Sequence, residues 1–104
     1  MKTLKKVQVS INLSVPLMVF KEGKKFVAYS PFLDLSSCGD DFDEAKNTFT
    51  DSAKLFVEEL IRKGTLDKCL RSLGWSKVKK QWTSPTVVSQ DSIPIKVEKI
   101  PVYA

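Results

Sequence analysis

From Val7 to Val15 every odd position is apolar and every even one polar: Val7, Val9, Ile11, Leu13 and Val15 alternate with Gln8, Ser10, Asn12 and Ser14. A period of two puts one set of side chains on each face of an extended chain, so the stretch predicts a half-buried β-strand. Pro16 has no amide to give to a ladder, so the strand bends, ends or lies at an edge there before Leu17-Met18-Val19-Phe20 resumes the extended pattern. Lys21 to Lys25, centred on Gly23, supply a hairpin turn, and Phe26 to Tyr29 returns. Pro31 interrupts, and Leu33-Asp34-Leu35-Ser36-Ser37 alternates again as a third short strand.

The period then changes. Asp41 followed by Glu44 is a capping box, in which the Asp41 carboxylate accepts the first free amide and Glu44 reaches back to the cap. A helix therefore begins at Phe42. Phe42, Ala45, Phe49, Ala53, Phe56, Val57, Leu60 and Ile61 fall at three- and four-residue steps and form a stripe wide enough to cover a sheet face. Gly64 stops the helix as a left-handed cap. Thr65 is placed to cap a second, shorter helix that buries Leu66, Cys69, Leu70 and Leu73 and ends at Gly74.

After Trp75 the period returns to two. Val78, Lys80 and Trp82 share one face, and Ile93, Ile95 and Val97 share another. Ile100 and Val102 are out of phase with that second set, so Pro101 or a bulge near Glu98-Lys99 shifts the register. The elements together predict an α+β domain: an antiparallel sheet in the order β-β-β-α, one long helix on one face, a short helix, then C-terminal strands. With 104 residues the chain is read as one domain, a core over 4–75 and a C-terminal strand extension over 76–104.

Charge is distributed unevenly. Residues 1–30 hold six Lys and one Glu, residues 31–75 hold six Lys or Arg against nine Asp or Glu, and residues 76–104 hold five Lys, one Asp and one Glu. The helical layer is thus the acidic part of a chain whose net charge is +5, and the strand-rich ends are basic. No apolar run approaches the ~20 residues of a membrane helix, and Met1 to Lys6 does not lead into a signal-peptide segment, so the expected location is the cytoplasm. Cys38 and Cys69 have no metal-binding spacing and there is no histidine, which leaves no zinc framework and no Ser-His-Asp or Cys-His arrangement. No cofactor or metal is expected, and the chain is not read as an enzyme.

Two groups of residues invite a chemical reading. Asp34, Asp40, Asp41, Asp43 and Glu44 cluster in sequence, as a metal nuclease site would. Turn and cap roles account for Asp40 and Asp41, the positive helix N-terminus suits Asp43 and Glu44, and only Asp34 falls on a predicted strand. Lys77, Lys79, Lys80 and Trp82 interleave cations with an aromatic ring, which is what a nucleic-acid-binding strand offers. An amphipathic strand with Trp82 and Val78 in the core and Lys77 and Lys79 in solvent uses the same residues. The alternating ends also carry more apolar positions than one helix face covers, which points either to a homodimer or higher homo-oligomer formed by strand addition or exchange or to pairing of the ends within one sheet of the same chain.

The series Ala28-Tyr29, Pro31, Leu33-Asp34, then Gly39-Asp40, then Glu44-Ala45 opening an amphipathic helix resembles the HicB-like antitoxin family of prokaryotic toxin–antitoxin pairs. The similarity runs from about Val19 to Trp75. It implies a partial ribonuclease-H-like sheet and a protein whose activity is to bind and mask a HicA-like toxin, a small basic ribonuclease. Many members carry a C-terminal helical DNA-binding module, whereas residues 76–104 here read as strands and loops. On this resemblance the candidate partner contacts are the acidic helix positions Asp43, Asp51, Glu58 and Glu59 and the corner formed by Tyr29, Phe32 and Leu33. An orphan homo-oligomeric module and a nucleic-acid binder through the basic strand edges are the alternatives.

Overall fold

The computed structural model describes residues 9–103. Its elements follow the expected order: β1 (Met18–Glu22), β2 (Lys25–Ser30), β3 (Leu35–Gly39), α1 (Phe42–Lys63), α2 (Leu66–Ser72), β4 (Ser76–Val78) and β5 (Gln81–Thr83). The first three strands form an antiparallel sheet in the order β1-β2-β3, and β4-β5 is a separate hairpin. The fold is α+β, with the long helix on one face of the three-stranded sheet.

Gly23 takes a positive φ of 61° between β1 and β2, so Met18 faces Tyr29 and Glu22 faces Lys25 across the ladder. The register places Val19, Ala28 and Ser37 on the α1 side and Phe20, Val27 and Cys38 on the other. On the α1 side Ala28 and Ala45 are fully buried and pack with Phe49, flanked by Val15, Leu17, Val19, Phe26, Leu35 and Ala53. Ser37 Oγ lies 3.3 Å from Ser52 Oγ, a second tie between β3 and α1.

Gly39 sets the distance between these elements. A Cβ at this position would sit 2.5 Å from the Ala45 amide nitrogen and 2.9 Å from the Glu44 carbonyl carbon. Backbone of α1 therefore touches backbone of β3, an approach that a side chain forbids.

The α1 cap and both glycine stops follow the sequence rules, while the cap of α2 does not. Asp41 is extended (φ −139°, ψ 174°) and its Oδ1 accepts the Glu44 amide at 2.7 Å. That is half of the expected capping box, since no bond from the Glu44 carboxylate back to Asp41 forms among the described residues. At the C-terminus Gly64 is left-handed, its amide donates to the Ile61 carbonyl, and the Thr65 amide donates to the Leu60 carbonyl, the paired bonds of a Schellman motif. Gly74 closes α2 in the same way, with Gly74 bonded to Arg71 and Trp75 to Leu70. Thr65 precedes α2 but its side chain makes no capping bond.

Four expectations are corrected. The predicted third strand, over 33–37, starts at Leu35 because residues 31–34 are consumed by a turn in which Asp34 is left-handed (φ 53°). The segment predicted as a strand from Val7 to Val15 lies partly outside the described residues, and from Val9 onward it has no ladder partner. From Ser10 its alternation holds, with Ile11, Leu13 and Val15 half-buried and Ser10, Asn12 and Ser14 exposed, whereas Val9, expected on the buried side, is exposed. Val78, Lys80 and Trp82 do not share a face, because Lys79 and Lys80 both take positive φ and turn the chain into the β4-β5 hairpin. Residues 84–103 contain no strand and, after Pro85, are exposed throughout.

Replacing Gly39 by Ala is expected to lower stability by about 1–3 kcal/mol or more through forced displacement of α1, measured by urea unfolding. Asp41→Ala is expected to cost about 1 kcal/mol by freeing the Glu44 amide, and a change below the error of the same titration would contradict the capping role.

Candidate functional site

The corner between β2 and β3 is built by hydrogen bonds from both sides. Ser30, fully buried at the end of β2, accepts the Phe32 amide on its Oγ at 3.2 Å. The Phe32 carbonyl accepts the Trp75 indole N–H at 2.6 Å, which ties the corner to the chain just after α2. Leu33, 2% exposed, joins Leu70, Trp75 and Trp82 in a cluster, and the Phe32 ring packs half-buried against it. Leu33 is therefore a core residue and is not on the surface. Tyr29 is half-buried on the sheet face away from α1, beside Met18 and Ser36.

The acidic positions of α1 are all exposed. Glu58 and Glu59 are held by the last turn of their own helix: Arg62 reaches Glu59 at 2.8 Å and Glu58 at 3.8 Å, and Lys63 reaches Glu59 at 3.5 Å. These solvent-facing pairs add little stability but hold the carboxylates in place. Asp43 and Asp51 make no ion pair among the described residues. Lys25 pairs with Asp40, linking the first hairpin to the turn before α1, and this contact holds the ammonium pKa above its ordinary value. Both partners are largely exposed, so the pair weakens in salt.

The basic strand is arranged differently from the sequence expectation. Trp82 is buried (8% exposed), while Val78, expected beside it in the core, is 56% exposed. Lys77 stands opposite Trp82 in the hairpin, with its Nζ 5.5 Å from the indole centroid, and the Arg71 guanidinium lies 5.3 Å from the same ring. The ring is thus used internally, by packing and by two cations. Lys79 and Lys80 form the exposed hairpin tip.

Among the described residues no three Cys, Asp or Glu side chains converge as a metal site would require. Asp34, expected on a strand, is an exposed turn residue. Cys38 is exposed and Cys69 half-buried, both free thiols.

One concave feature escaped the sequence reading. A groove of about 710 Å³ lies between residues 9–17 and α1, lined by Leu13, Val15, Phe49, Ala53, Val57 and Ile61 among others. Lys46, Lys54 and Glu58 also line it. The inward alternation of 9–17 and the apolar stripe of α1 each signalled one wall, but neither signalled that the two walls stand apart.

No protein-family model, curated protein or solved structure matches this chain.

Trp75→Phe removes the N–H together with the pyrrole half of the indole, leaving the Phe32 carbonyl unpaired in a half-buried setting and a small void beside Leu33 and Leu70. The expected loss is about 1–3 kcal/mol in urea unfolding, whereas an unchanged midpoint would mean that the bond contributes nothing to the corner.

Proposed function

We propose that this chain is an antitoxin-like protein-interaction domain that binds and occludes a small basic ribonuclease of the HicA type. The observation that carries the reading is the way the motif residues join in one unit. Ala28 lies under α1, Pro31, Leu33 and Asp34 belong to the corner, and Gly39 brings the helix down at Glu44 and Ala45; Asp41, where the family commonly has threonine, departs from the pattern and still caps the helix. That unit presents an outward helix face with Asp43 and Asp51 unpaired among the described residues. Such a face complements a basic partner, and electrostatic complementarity of this kind sets the association rate and the choice of partner. Inhibition on this reading is steric, with no chemical step by the chain itself. Leu33 is dropped from the contact surface because it is buried, which leaves Tyr29 and Phe32 as half-buried neighbours of the contact and the α1 acids as its centre.

The test is a pull-down from native extract at low and moderate salt, with the captured protein identified by mass and then assayed as a ribonuclease. Stoichiometric recovery of a small basic ribonuclease that the chain inhibits is the expected result. The double charge reversal Asp43→Lys/Asp51→Lys should weaken inhibition by at least about tenfold in a chain that still unfolds cooperatively, its midpoint lowered slightly because a cation at position 43 opposes the positive end of α1, and Asp51→Lys alone should weaken inhibition at an unchanged midpoint. Recovery of no such protein would contradict the proposal.

A further inference from the structure

Residues 84–103 leave the folded body as an arm. Gln90 is still close, its Nε2 3.5 Å from the Met18 sulfur, and beyond it every residue described is exposed. The molecule measures 75 × 32 × 30 Å, long in one direction for a chain of this size. Every large apolar side chain from Val87 to Tyr103 is more than half exposed, Ile95 at 80%. A folded chain seldom leaves this much apolar surface in water without a use for it.

The arm is organised as a strand in search of a neighbour. Ile93, Ile95 and Val97 occupy one phase and Ile100 and Val102 the other. Between them Lys99 takes the left-handed conformation (φ 56°), the geometry by which a bulge admits one extra residue. One extra residue puts all five apolar side chains on a single face. It also puts Pro94 and Pro101, the two residues with no amide to donate, on the same edge as each other and on the edge opposite that of the five apolar residues. The arm thus has one apolar face and one complete hydrogen-bonding edge. The prolines also hold Ile93 and Ile100 extended.

The groove between residues 9–17 and α1 has the matching properties. Residues 9–17 are an extended segment with no ladder partner among the described residues, and their inward side chains leave an apolar space against Val57 and Ile61. We propose that residues 91–103 of one copy add as a strand beside residues 9–17 of a second copy. Ile93, Ile95 and Val97 then enter the groove against α1, and the exchange is reciprocal. A reciprocal exchange is closed by a two-fold axis, so assembly stops at the dimer. The inference does not rest on the toxin-binding reading, since its observations are the arm and the groove; the groove lies on the same helix as the proposed toxin contact, with Glu58 in its lining, and the mass and the 95–54 link read the exchange without reference to any ribonuclease.

Light scattering on the full chain over a wide concentration range tests it. The expected mass is twice the 11.7 kDa of one chain, falling to 11.7 kDa for Ile95→Lys/Val97→Lys. Both substituted positions are exposed, at 80% and 67%, so the thermal transition of the body should be retained. The occupant is identified by mixing two chains in a Cys38→Ser/Cys69→Ala background, one carrying Ile95→Cys and the other Lys54→Cys. A disulfide joining the two different chains supports the exchange. A mass of 11.7 kDa at all concentrations, a dimer indifferent to the two lysines, or failure of the 95–54 link to form overturns it.

Discussion

The folded body depends on α1 lying directly against β3, and that approach depends on position 39 having no side chain. With Gly39 at the sheet end and Ala45 one turn into the helix, backbone meets backbone, and Ala28 on the central strand lets the helix stay close along its first turns. The close approach brings Phe49 over the sheet, where it packs with Ala28 and Ala45. The Asp41 cap starts the helix at the point of contact, and Gly64 ends it after 22 residues, so one helix spans the sheet.

A second centre is built at the other end around Trp75. Its indole fills the space beside Leu33 and Leu70 while its N–H holds the Phe32 carbonyl, so the same side chain packs the cluster and fixes the corner. Trp82 completes the cluster from the β4-β5 hairpin, with Arg71 and Lys77 against its ring. Surface ion pairs contribute little beside these contacts, because each is largely exposed and screened.

Local rules carried much of this into the sequence. The helix limits were legible because Asp41, Gly64 and Gly74 act through their own backbone geometry, and β1 and β2 because a glycine turn joins two extended runs. The start of β3 was not legible, since Leu33 and Leu35 alternate as strand residues do although a left-handed Asp34 lies between them. The Trp75–Phe32 bond spans 43 residues and leaves no periodic trace. Trp82 was legible as a core residue but its neighbours were not, because two lysines with positive φ make a turn that composition does not announce. The alternation at both ends was legible as strand pattern, yet a strand needs a partner, and the pattern does not say in which chain the partner lies. The acidic α1 face was visible in the charge distribution, while the groove beside it was not.

Among the described residues the two alternating ends have no ladder partner, and the proposed exchange pairs them between copies. Hydrogen exchange at residues 9–17 and 91–103, followed at low and high protein concentration, tests this most directly. Amide protection that rises in both segments together as concentration rises is the predicted result. Rapid exchange in both at every concentration, with α1 protected throughout, would contradict it.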